Sequence, residues 1–212
     1  METPRKLASY LLQSKAIIID PANPFTWASG WRSPIYCDNR KTLSYPEIRT
    51  FIRDAFVEQV ITNFGNPDII AGVATGAIAH AALVAEKMEL PLLYVRSSQK
   101  SHGLGNQVEG DVKTGKTVVV VEDLVSTGGS SLNAVSALRD EGLEVLGMTA
   151  IFTYGFPVAN ENFSKAGVQL HTLGNYHDLI EEAADTGYIR SEDLDTLKNW
   201  RKDPAAWNAT SQ

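Results

Sequence analysis

Apolar positions along the chain switch repeatedly between two periods. In residues 46–64, PEIRTFIRDAFVEQVITNF, the positions Ile48, Phe51, Ile52, Ala55, Phe56, Val60 and Ile61 recur at helical spacing, which predicts a helix stopping at Gly65 and Pro67. Asp68 to Ala74 is then almost continuously apolar and predicts a buried strand. The alternation continues with a helix over 77–88, a strand over 91–96, a strand over 117–123 (TVVVVED), a helix over 131–141 ended by Gly142, and a strand over 143–154. Apolar runs too continuous for a half-exposed sheet, separated by helices, predict an α/β fold: a mostly parallel, doubly wound sheet flanked by helices.

Other segments depart from this rhythm. Thr3 and Pro4 read as the N-cap and first residue of a short helix carrying Leu7, Leu11 and Leu12. Residues 25–39, FTWASGWRSPIYCDN, mix aromatic and β-branched residues with turn formers and predict a hairpin or an irregular strand pair. Residues 97–116 contain four glycines and no helical stripe, so a long loop is expected, with a short hairpin at Gln107–Val112. From His177 onward, Leu179, Ile180, Ala183, Ile189, Leu194, Leu197 and Trp200 predict two short helices packed on the body.

The chain has 212 residues, 43% hydrophobic and 21% charged, which suits one domain over 1–212 with a full core. Its expected parts are a small N-terminal hood to about residue 45, a core over about 46–175 and C-terminal helices over about 176–212. Cys37 is the one cysteine, so no internal disulfide can form, and a cytoplasmic location is expected. Gln13, Ser14 and Lys15 interrupt the N-terminal apolar stretch before it becomes signal-like, and no apolar run approaches membrane-spanning length. A net charge of -6 argues against general attraction to nucleic acid. An anionic substrate would have to be caught by a local site.

Residues 118–131, VVVVEDLVSTGGSS, supply such a site. A buried strand ends in adjacent acids, Glu122 and Asp123, and a turn of small residues then opens a helix. Glycines let successive N–H groups converge, hydroxyls add donors, and the helix N-terminus adds positive potential, so the turn is a phosphate cradle. It lies at the carboxyl end of a strand, where α/β sheets bind ligands. The G-x-x-x-x-G-K-[ST] spacing is absent, and acids precede the glycines, which excludes both common nucleotide loops. Two carboxylates ahead of a phosphate cradle suit a phosphorylated polyol: the acids accept the ribose 2′ and 3′ hydroxyls and the loop holds the 5′-phosphate. A helix cap followed by a plain turn would explain TGGSS alone. It does not explain two acids after four valines, since buried carboxylates without a partner are costly.

The same stretch resembles the motif of type I phosphoribosyltransferases that binds phosphoribosyl diphosphate (PRPP). Arg96 to Gly110, RSSQKSHGLGNQVEG, is similar to the catalytic loop of the orotate phosphoribosyltransferase branch, and residues 25–46, FTWASGWRSPIYCDNRKTLSYP, resemble its hood. This resemblance implies the type I phosphoribosyltransferase fold and transfer of the 5-phosphoribosyl group from PRPP to orotate, giving orotidine 5′-phosphate and diphosphate in pyrimidine biosynthesis. It also implies a homodimer in which loop 97–110 acts in trans, with Arg96, Lys100 and His102 as the catalytic contacts to diphosphate. Glu122, Asp123, Leu124, Val125, Ser126, Thr127, Gly128, Gly129 and Ser130 would bind PRPP, the acids at the ribose hydroxyls and Ser126 to Ser130 at the 5′-phosphate. Ser126 would also touch orotate. Mg²⁺ would be carried by PRPP, with Glu122 and Asp123 as the only protein groups near it.

Ala28, Thr75-Gly76, Ser97 and Tyr154 stand where the best-known bacterial branch has basic residues or a Tyr-Lys pair. The turn Gly72 to Ala79 remains suited to diphosphate through its backbone, and Phe25, Tyr36 and Arg40 are candidates for the base. A purine-specific transferase is the nearest alternative, and the hood resemblance argues against it. A PRPP-binding RNA regulator of the same fold is a second, disfavoured by the negative charge and the catalytic-type loop.

Overall fold

The computed structural model describes residues 3–27, 30–97 and 106–207. Helix α1 (Thr3–Gln13) buries Leu7, Ala8, Leu11 and Leu12. Four short strands follow: β1 (Ile17–Ile19), β2 (Phe25–Thr26), β3 (Arg32–Ser33) and β4 (Ile35–Cys37). The expected hairpin is the β2–β3 pair, and β4 instead pairs antiparallel with β1, setting Ile17 opposite Cys37. A 3-10 helix (Asn39–Ser44) leads into α2 (Pro46–Phe64), whose limits match the apolar stripe. Its buried side chains are Ile48, Ile52, Phe56 and Val60, whereas Ile61 is 52% exposed and lies off the stripe.

The alternating part comprises β5 (Ile69–Val73), α3 (Ile78–Met88), β6 (Leu92–Val95), β7 (Val108–Glu109), β8 (Thr117–Val125), α4 (Gly129–Asp140), β9 (Glu144–Thr153), α5 (Pro157–Lys165), β10 (Leu170–Asn175), α6 (Tyr176–Asp185) and α7 (Asp193–Lys202). One six-stranded sheet runs in the order β10-β9-β8-β5-β6-β7, parallel except for β7. Residues 107–112 do not close a hairpin on themselves. Val108 and Glu109 pair with Val95 and Tyr94, so β7 covers the open edge of β6.

Successive residues of β8 feed opposite faces of the sheet. Val119 and Val121 join a core with α1, α2, α3, α6 and α7, while Val118 and Val120 join a core with α4 and α5. Burial on both faces is why the strand reads as an unbroken apolar run. Among the described residues no helix is long and apolar enough to cross a membrane.

Candidate active site

Strand β8 runs past the acids to Val125, with Leu124 and Val125 paired to Phe152 and Thr153, so Glu122 and Asp123 lie within the strand and not at its tip. Being consecutive, they leave it on opposite sides, yet their carboxyl groups curl back within hydrogen-bonding reach of each other. Glu122, 4% exposed, faces α4: its Oε2 accepts from Ser131 Oγ at 2.8 Å, and its Oε1 accepts from the Asp123 N–H at 2.9 Å. Asp123 faces the hood and the turn after β5, where Asn39 Nδ2 donates to its main-chain oxygen at 2.6 Å. A Cβ on Gly76 would overlap the Asp123 carboxylate, so only glycine lets the turn approach this closely.

Burial raises the pKa of both acids, and the negative charge of Asp123 raises that of Glu122 further. Such a pair gains from hydroxyl donors or a cation, since either offsets charge held away from water.

Beyond Val125 the chain opens into the expected cradle. Gly128 takes φ of +84° and starts α4, and a side chain there would also collide with Phe163. The N–H groups of Ser126, Thr127, Gly128, Gly129 and Ser130 have no hydrogen-bond partner among the described residues. Asn162 Nδ2 holds the loop from α5 by donating to the Thr127 carbonyl at 3.0 Å. Consecutive free donors at a helix N-terminus can surround a phosphate. Across the crevice, Thr75 is exposed and its N–H and that of Gly76 likewise lack partners among the described residues. Strands β5 and β8 are neighbours, so the two turns open side by side.

Arg96 lies at the carboxyl end of β6, with Nη1 3.6 Å from Glu109 Oε1. Its N–H donates to the Gln107 carbonyl, and Gln107 Nε2 donates back to the Arg96 carbonyl, both at 2.9 Å, which ties the two ends of the intervening loop together. Lys100, His102 and Ala28 lie outside the described residues. Arg40 is exposed and pairs with Asp38 at 2.6 Å, and its charge offsets only a little of the rise that burial gives the Asp123 pKa. The rings of Phe25 and Tyr36 lie 5.6 Å apart in the hood.

Tyr154 is 2% exposed and fills an aromatic cluster with Trp27, Phe156, Tyr176 and Trp200. The hood is anchored there. Trp200 Nε1 donates to the Arg32 carbonyl at 3.1 Å, and Arg201 donates to the carbonyls of Tyr154 and Gly155 at 2.9 and 2.6 Å.

Sequence reasoning missed Asn39, Thr42 and His80, three buried polar residues between the hood and α3. They carry no motif, and only the proximity of Asn39 to the aromatic hood segment could have drawn attention to it. Asn162 was missed because no element had been assigned to its stretch.

Comparison with known proteins gives four concordant likenesses. Residues 45–169 match the family described as the phosphoribosyl transferase domain. The chain is 60% identical over 210 residues to the orotate phosphoribosyltransferase of Phocaeicola vulgatus, covering 99% of each. In structure it resembles orotate phosphoribosyltransferase from Aeropyrum pernix, with TM-score 0.75 and 31% identity over 86% of this chain and 99% of that one. The Mycobacterium tuberculosis enzyme in complex with PRPP shares the fold, with TM-score 0.65 and 24% identity over 84% of this chain and 98% of that one.

Proposed function

The chain belongs to the orotate phosphoribosyltransferases, which transfer the phosphoribosyl group of PRPP to orotate in pyrimidine biosynthesis, and from that premise we propose how its residues divide the work. The carrying observation is the crevice between two turns: the donor-lined loop 126–130 faces the 75–76 turn, with Asp123 between them. Ser126, Thr127, Gly128, Gly129 and Ser130 hold the 5′-phosphate, and Glu122 and Asp123 take the ribose hydroxyls. Leu124 and Val125 carry the strand from the acids to the loop. The backbone of Thr75 and Gly76 receives the diphosphate. Ser126 also touches orotate, whose ring lies under the hood near Tyr36.

Displacement at ribose C1 develops positive charge on the sugar and negative charge on departing diphosphate, so the protein must chiefly stabilise the leaving group. Arg96, Lys100 and His102 do this, with loop 97–110 reaching the site of the second subunit in a homodimer. Closure of the loop excludes water, which would otherwise hydrolyse PRPP. Orotate needs no strong base, because it is already an anion with a nucleophilic ring nitrogen.

The residues fit Mg²⁺ carried by the substrate. Glu122 and Asp123 are hard oxygen donors of the kind Mg²⁺ takes, and a cation beside them would offset the burial that raises their pKa values. Glu122 and Asp123 would be the side chains that help to hold Mg²⁺, and the chemistry it would supply is neutralisation of charge on the departing diphosphate. A cytoplasmic location belongs to the same reading, supported by the phosphorylated substrates and the lone cysteine.

The test is the loss of orotate absorbance on adding PRPP and Mg²⁺, with regeneration of orotate from orotidine 5′-phosphate and diphosphate as a check. Consumption of a purine base in place of orotate would overturn the base assignment.

A further inference from the structure

The space between the hood, the ribose acids and the turn after β5 is filled by one chain of buried polar contacts. Asn39 is 1% exposed. Its two side-chain ends are committed to different partners: Nδ2 donates to the Asp123 main-chain oxygen at 2.6 Å, and Oδ1 faces the Cys37 thiol, which donates to it at 3.3 Å. The Asp123 carbonyl, which can only accept, fixes which end of the amide carries nitrogen. Thr42 Oγ1, fully buried, donates to the Asn39 carbonyl at 2.6 Å. That hydroxyl has one proton, so at the 3.4 Å contact with His80 Nε2 it must accept. His80 therefore carries its proton on Nε2. Its Nδ1 is buried without a hydrogen-bond partner in the described structure.

His80 sits in the first turn of α3, directly after the Thr75–Gly76 turn. Cys37 ends β4, the hood strand. Asn39 thus stands where three substrate-facing segments meet, beside the one residue whose carboxylate is wedged against Gly76. Asp123 receives no other side-chain donor at its main-chain oxygen among the described residues. The pairing of β8 with β5 runs only to Val121, opposite Gly72, so Asp123 lies beyond it. The Asn39 amide supplies that peptide with a donor from outside the sheet.

We propose that Asn39 is a positioning residue for the ribose site, donating to the main chain of Asp123 and thereby holding its carboxylate in place for PRPP. This rests on the reading above that Asp123 binds the ribose hydroxyls. Cys37 orients the amide, and the Thr42–His80 pair fixes the main chain that carries it.

The test measures PRPP affinity by titration calorimetry, with thermal melting for the fold, in Asn39→Ala, Asn39→Asp and Asp123→Asn. Asn39→Ala should weaken PRPP binding about tenfold, the scale of one buried hydrogen bond. Asn39→Asp keeps the shape but cannot donate when ionised, so it should bind PRPP no better than Asn39→Ala. A space-filling role predicts the opposite, recovery in Asn39→Asp, and that result overturns the proposal. Wild-type affinity in a folded Asn39→Ala does so too. Should Asp123→Asn bind PRPP as the wild type does, the ribose reading falls and the proposal with it. If Asp123→Asn is weakened while both Asn39 variants bind normally, the proposal alone falls. Should the Asn39 variants not fold, Thr42→Val decides, since it keeps volume and removes only the hydroxyl: weakened PRPP binding supports the proposal and unchanged binding overturns it.

Discussion

Gly76 and Asp123 approach so closely that a methyl group on the glycine would overlap the carboxylate, with even its farther oxygen only 2.8 Å away. Gly76→Ala should therefore push the acid out of the crevice while leaving the sheet intact. We expect PRPP affinity to fall at least about tenfold, an overpacking cost of this size being ordinary. Calorimetry with PRPP and a melting curve will show whether the loss is local.

Lys100→Ala should lower turnover by about two to three orders of magnitude, as removal of a charge-stabilising donor does elsewhere. PRPP should still bind detectably, because the ribose and 5′-phosphate contacts come from β8 and the loop after it. Single-turnover rates beside a PRPP titration separate the two, and near-normal turnover would remove the loop from the mechanism.

Glu122 gives the ligand-free protein a pH dependence of definite sign. Its folded pKa is raised, by burial first and by Asp123 second, so the folded state holds a proton that the unfolded state releases. The stability it contributes is present below the ordinary glutamate range and is lost as pH rises through the folded value. Glu122→Gln, always neutral, should melt with a flatter pH profile than the wild type over that rise. Parallel profiles would show that the shift is absent.

Trp200→Phe keeps the ring in the aromatic cluster and removes the N–H bonded to the Arg32 carbonyl. The expected cost is about 1 kcal/mol of stability. Because that bond anchors the hood, the Michaelis constant for orotate should rise more than that for PRPP. Equal changes in both would mean that the hood is held by packing alone.

The fold was legible wherever one period dominated. Val118 to Val121 are buried on both faces, so their sequence is unbroken, and the α2 stripe is bracketed by Pro46 at its start and Gly65 at its end. Legibility failed where burial is partial. Strand β10 is half-exposed along Leu170 to Thr172, and α5 buries only Ala159 and Phe163, so neither leaves a strong pattern. Strand β1 has three residues and takes its order from pairing with β4, a long-range contact that local spacing does not encode.

The candidate site divides in the same way. Glu122, Asp123 and the loop after them were visible because strand, acids and small residues are consecutive. Their division between opposite sides of the strand follows from alternation but became apparent only once the strand was seen to continue to Val125. Asn39, Thr42 and His80 were silent because each is one polar residue whose partner lies far along the chain, as with Asn39 and Asp123 at a separation of 84 residues.

The reciprocal bonds between Arg96 and Gln107 turn the loop into a noose of fixed circumference. The segment 97–106 joins those two tied ends, so none of its residues is more than five positions from Arg96 or Gln107. At roughly 3.3–3.6 Å per extended residue, that limits its reach to roughly 17 Å from the end of β6. Any second subunit served by Lys100 must place its own crevice within that radius plus the length of a lysine side chain, whatever the rest of the interface looks like.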